Sequence, residues 1–159
     1  MFGTGGSEAG RGGRAASGGG SYPKVEENKP NKAKTPMDTD FDKADYMIKG
    51  EQYDEAIVLL QRVVNQNPND ADAWNMLGFA TRKLGRNQEA YGYYQKALAI
   101  DPNHKGAHEY LGELYLQMND LPKAEAELVV LKGICGTNCE EAEDLTATIA
   151  DYKAAKAAK

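Results

Sequence analysis

The 159 residues are 41% hydrophobic and 27% charged, ordinary proportions for one globular domain with a tail. No apolar run approaches the roughly eighteen residues that a membrane-crossing helix needs. The net charge of −5 is uneven: residues 1–36 carry six basic side chains against three acidic ones, a net of +3, which leaves −8 on the remainder and excludes the broad basic face of a nucleic-acid binder.

In chain order, residues 1–36 are Gly- and Ser-rich and then Lys- and Pro-rich, with almost no large apolar side chain. Such a segment cannot offset the entropy of ordering itself, so a flexible leader is predicted. It lacks the apolar centre of a secretory signal. Two expectations about location follow: a cytoplasmic protein, or an exported, periplasmic one whose Met1 follows a signal already removed.

After Pro36 a fixed period sets in. It relates Ala56, Ala90 and Ala124, then Pro68 and Pro102, then Ala44, Gly78 and Gly112, then Leu60, Tyr94 and Leu128. Each period holds two antiparallel helices, whose small residues let the backbones approach. The breaks at "KGEQ", "NQNPND", "KLGRN", "AIDPNH" and "QMNDLP" place helices near 38–49, 52–66, 71–84, 87–99, 105–118 and 121–134. Asn69 or Asp70 caps the third of them. Residues 139–159 form a seventh helix, with Asn138 and Glu141 as a capping box. Its Leu145, Ile149 and Tyr152 share one face, suited to cover the open side of a stacked array.

Both cysteines, Cys135 and Cys139, fall at the junction before that last helix. A disulfide there would join the turn to the helix in an oxidising compartment, and the position favours this structural role. Three alternatives stand beside it: free thiols, a redox pair, and a zinc site. The zinc reading adds His104 and His108, spaced i, i+4 at the start of the fifth helix, to Cys135 and Cys139. No Gly-rich phosphate loop sits between a strand and a helix, so no enzyme and no cofactor are implied.

The stretch Ala71–Asn103 resembles a tetratricopeptide repeat: Trp74, Leu77, Gly78, Ala90, Tyr94, Ala97 and Pro102 match its pattern. Thr81 departs from it, as do His108 in the Trp slot and Gly136 in the Pro slot of the third unit. The resemblance implies an all-α fold of three helix-turn-helix repeats (about 37–70, 71–104 and 105–138) stacked as a short right-handed solenoid, closed by a capping helix at 139–159. The whole chain also resembles small exported bacterial proteins with a few such repeats and a C-terminal Cys pair.

The family implies a non-catalytic adaptor that holds a protein or peptide partner in a concave groove lined by the first helix of each unit. Carried over, the groove residues are Phe41, Asp45, Ile48, Asn75, Phe79, Arg82, Lys83, Glu109, Glu113 and Leu116. An exposed Phe79 or Phe41 would anchor a partner there. The slots in which some members grip a chaperone's terminal carboxylate hold Phe41, Asp45, Met76, Gly106 and Tyr110, which argues against that mode. The alternative role is a structural subunit of a larger complex, with the leader lying along its neighbours.

Overall fold

The computed structural model describes residues 39–159; the leader of residues 1–36 lies outside the described residues. Among the latter are seven helices: α1 (Asp40–Lys49), α2 (Tyr53–Gln66), α3 (Ala71–Lys83), α4 (Asn87–Ile100), α5 (Lys105–Gln117), α6 (Leu121–Cys135) and α7 (Glu140–Ala157). They form a tetratricopeptide-type helix-turn-helix stack, in which α1 packs on α2, α3 on α4 and α5 on α6.

The turn inside each unit repeats with the sequence. Glu51, Gly85 and Asn119, each one period from the next, all adopt left-handed backbone with φ of 59°, 76° and 60°. The amides that follow reach back along the helix: Gln52 to Met47, Arg86 to Thr81 and Asp120 to Tyr115. This is the six-to-one bond that closes a helix through a left-handed residue. Gly85 adopts the conformation freely, whereas Glu51 must be held in it by the bonds around it.

Four helices, α1, α3, α5 and α6, are capped at their starts by side chains. Thr39 and Asp42 form a capping box on α1, Asp70 accepts from the Ala73 amide, and Asp120 accepts from the Lys123 amide. His104 replaces the aspartate at α5, its Nδ1 accepting from the Ala107 amide at 3.1 Å. The capping box expected at Asn138 and Glu141 does not form. Cys139 is the N-cap of α7 and makes no side-chain cap bond, while the Asn138 side-chain oxygen accepts from the Thr137 hydroxyl. Gly136 explains its own departure from the repeat pattern: it ends α6 at φ 79°, which proline cannot adopt.

Small residues set the packing distances. Ala44, Ala56, Ala90 and Ala124 are fully buried. A Cβ on Gly78 would lie 2.6 Å from the Tyr94 ring, and one on Gly112 would lie 2.6 Å from Leu145 of α7. Leu145 continues the column of Leu77 and Leu111 by one more period. The seventh helix therefore takes the place of the first helix of a fourth unit, packed on α5 and α6. Leu145, Ala142 and Ile149 bury its inner face, and Tyr152 and Lys156 bond to the Asn119 side chain.

Candidate peptide-binding groove

Helices α1, α3, α5 and α7 lie side by side in that order. Between the last three opens a cleft of about 460 Å³. Arg82 and Lys83 line it from α3, Glu113, Leu116 and Gln117 from α5, and Thr148, Asp151, Tyr152 and Ala155 from α7. Four of the ten groove residues inferred from sequence thus converge: Arg82, Lys83, Glu113 and Leu116. Gln117 and the α7 wall were missed, although Lys83, Gln117 and Asp151 stand in one column of the repeat that marks them.

The other six do not line this cleft. Phe41 and Asp45 sit half-buried on α1, where Asp45 bonds Lys49 at 2.5 Å. Ile48, Asn75, Phe79 and Glu109 are 0–1% exposed. The expectation of Phe79 as an exposed anchor is corrected here. Its ring meets Tyr110 edge-on at 5.0 Å and Tyr53 at 6.4 Å, so it joins units rather than facing a partner. Ile48 is core for the same reason, and Leu116, though it lines the cleft, is only 5% exposed. Asn75 keeps both amide atoms buried without a hydrogen bond, against Gly106, where a Cβ would lie 3.1 Å from its nitrogen.

Arg82 organises the cleft. Its Nη2 donates to Glu113 at 2.5 Å and its Nε donates to the Tyr94 hydroxyl at 3.4 Å. The guanidinium lies 5.5 Å from the Phe79 ring centre and 5.7 Å from that of Tyr110. Burial opposes its charge, but Tyr94 and Glu113 outweigh that and hold its pKa above the ordinary value. Burial likewise pushes the Tyr94 phenol up, so it stays protonated. A fixed cation, a carboxylate and the apolar Leu116, Tyr152 and Ala155 give the cleft the mixed lining that suits an extended polypeptide.

The histidines do not join the cysteines, which corrects the zinc reading. With Nδ1 of His104 accepting a hydrogen bond, its proton sits on Nε2 and goes to Asp72 at 2.9 Å. His108 gives Nδ1 to Glu127 at 2.6 Å and Nε2 to the Pro102 carbonyl at 2.8 Å. The second bond repeats that of Trp74 Nε1 to the Pro68 carbonyl, also 2.8 Å, so His108 fills the Trp slot by copying its donor. Cys135 and Cys139 are joined, with Cα atoms 5.8 Å apart, and of the acidic groups Glu141 lies beside them. Bonded sulfurs are not the thiolates that a metal takes.

Both partners of His108 are acceptors, so the ring carries two protons and a charge. Burial opposes that charge, but Glu127, the Pro102 carbonyl and Asp101 raise the pKa above 6.5. The sign follows: stabilisation is complete below pH 6.5 and is lost as pH rises through the raised value. Chemical denaturation between pH 6 and 8 should show the native protein weakening with pH. Glu127→Gln should be less stable at pH 6 by about 1.5–3 kcal/mol, the worth of a charge-assisted bond, with a flatter profile. Parallel profiles for the two proteins would rule out the charged pair.

These features define a helical-repeat protein with a groove along its first helices. Two tetratricopeptide repeat models match residues 41–105 and 82–133, and the chain is a tetratricopeptide repeat protein. It is 36% identical over 64 residues to the uncharacterized protein ycf37 of Pyropia yezoensis, covering 40% of this chain and 36% of that one. It is 31% identical over 90 residues to superkiller complex protein 3 of Mus musculus, covering 53% of this chain and 6% of that one. The chain thus spans well under half the length of these curated relatives. Among solved structures, the Yersinia enterocolitica type III secretion chaperone SycD, in complex with a peptide of the translocator YopD, superposes with a TM-score of 0.64. That match covers 74% of this chain and 92% of SycD at 18% identity, a likeness of fold.

Proposed function

We propose that this protein is a non-catalytic protein-binding module that holds an extended partner segment in the cleft between α3, α5 and α7. The observation that carries the reading is Arg82, fixed by Tyr94 and Glu113 at the head of a cleft with Lys83 and Asp151 on opposite walls. SycD holding a translocator peptide on the same fold is a precedent for the mode. A second reading, a structural subunit of a larger assembly, is favoured by the outer face of α6, where Val129 is 71% and Val130 43% exposed. The joined cysteines are what favours an oxidising compartment, and we propose a periplasmic location on that ground.

One experiment in the native cells separates these readings. A photocrosslinking residue at Gln117 or Thr148 should label one reproducible partner segment, while the same probe at Val129 should not. Lys83→Glu should weaken labelling about tenfold, the effect of roughly 1.4 kcal/mol. Labelling at Val129 alone would overturn the groove reading in favour of the subunit. The same cells, lysed into a thiol-blocking reagent, should yield a chain with neither cysteine alkylated.

A further inference from the structure

The outer face of α6 is apolar where the array is otherwise polar. One strip, Pro122, Ala126, Val129, Val130 and Gly133, lies opposite the buried Ala124 and Leu131, and all five are exposed. At about 100° of turn per residue they fall within about 100° of one another, with no charge among them. The columns of Val129 and Val130 are polar in the earlier units: Gln61 and Arg62 on α2, Gln95 and Lys96 on α4, all exposed. With its inner face packed on α5 and α7, α6 is apolar around most of its circumference, the pattern of a helix covered on both sides. Gly133 is an independent mark of the same face. Gly78 and Gly112 make room for Tyr94 and Leu145, but a Cβ on Gly133 would meet nothing within 4 Å. A glycine inside a helix weakens it, and nothing within the described residues requires this one; a second backbone approaching from outside would.

We propose that this strip packs on the same strip of a second copy, antiparallel about a two-fold axis at the level of Glu127 and Leu128. Pro122, Ala126, Val129 and Gly133 follow one another at steps of four, three and four, the spacing of a coiled-coil seam. In the antiparallel pair Ala126 faces the second copy's Val129, and Pro122 faces its Gly133. The bordering charges select both the orientation and the occupant. Glu125 and Lys132 stand seven residues apart along one edge of the strip, so reversal sets each against the other on the second copy, giving two matched ion pairs. A parallel pair would set Glu125 against Val130 instead. Lys132 is exposed; Lys153 of α7 engages Oε1 of Glu125, whose side chain is 46% exposed, so a second cation can reach that carboxylate. A foreign helix would have to bring the complementary charge order with it, whereas a second copy supplies it by symmetry. The strip is about 16 Å long and makes a single helix pair, below the roughly 1,200 Å² of a stable interface, so the dimer is weak. It leaves the groove open, because α6 is the second helix of its unit and the groove runs along the first helices.

The test uses the purified full chain and no partner, so it stands or fails apart from the groove. Sedimentation of protein from about 10 μM to about 1 mM should show a monomer passing to a dimer, the behaviour of a small interface. Val129→Glu, a change at an exposed position that should leave helicity intact by circular dichroism, should hold the protein monomeric throughout, because it places an unpaired charge in the seam. Lys132→Glu sets two carboxylates against each other at each end of the pair, and Glu125→Lys sets two amines. Each should weaken the dimer about tenfold, and the double variant E125K/K132E should return it to within about threefold of the original. In cells, a probe at Val129 then labels α6 of this same chain and not the segment held in the groove. A protein that stays monomeric, leaving the face to a foreign helix, would overturn the proposal, as would a dimer that Val129→Glu leaves intact. A double variant as weak as the single ones would overturn the antiparallel pairing.

Discussion

Tyr94→Ala is expected to cost about 3–5 kcal/mol of folding stability, the range for truncating a fully buried aromatic ring. That is a large part of the roughly 5–15 kcal/mol that holds an ordinary domain together. Tyr94 is 0% exposed, lies on Gly78, and takes a hydrogen bond from Arg82. The truncation therefore opens a cavity in the second unit and removes one of the two groups that aim Arg82 into the cleft. Tyr94→Phe keeps the packing and loses only the long 3.4 Å bond, so about 1 kcal/mol is expected. Gly78→Ala drives a Cβ to 2.6 Å from the ring, which cannot retreat because it is enclosed. Overpacking of that kind costs about 1–3 kcal/mol. In a Tyr94→Leu background the same change should cost less, because the obstructing ring is gone. Urea midpoints for the four proteins give the coupling, and strict additivity would show that the Gly78–Tyr94 contact does not set the helix spacing.

The stack was legible in the sequence because one period governs it. Columns of alanine, glycine and proline recur at a single step, and the helix ends fall within about two residues of those inferred from the break points. Local chemistry was legible only where one residue decides it. Asp70 caps α3 as its position implies, but the capping box at Asn138 fails because α7 starts one residue later, with Cys139 as its N-cap. The groove was half legible. The slots name the residues that face inward, yet burial depends on how near the adjacent helix comes, and that distance is fixed by Gly78 and Gly112 in other columns. Phe79 and Lys83 are one turn apart on α3; one is enclosed by Tyr53 and Tyr110, the other exposed. The α7 wall was overlooked because a helix after the last full repeat reads as a lid. The Leu77, Leu111, Leu145 column shows that it continues the array and so brings inward-facing residues with it.

Leu145→Ala is expected to cost about 2–5 kcal/mol and to release α7 before the rest of the stack. Leu145 is fully buried and fills the space that Gly112 leaves on α5. With that anchor gone, α7 keeps Ala142 and Ile149 as its buried apolar contacts. An 18-residue helix has little stability alone, because nucleation is costly and its persistence depends on packing. Hydrogen exchange should show α7 amides losing protection about thirtyfold or more, equivalent to at least roughly 2 kcal/mol, while α1–α4 change little. The disulfide acts on the same helix from the other end. Closing the small ring from Cys135 to Cys139 is worth about 2 kcal/mol by chain entropy, and reduction should loosen chiefly the start of α7. Because Thr148, Asp151 and Tyr152 form one wall of the cleft, Leu145→Ala under reducing conditions should also reduce photocrosslinking at Gln117 on the α5 wall. Unchanged α7 protection would mean that another contact seats the helix. Lost protection with unchanged labelling at Gln117 would mean that the partner is held by α3 and α5 alone, and the α7 wall would then serve only to close the core over Gly112.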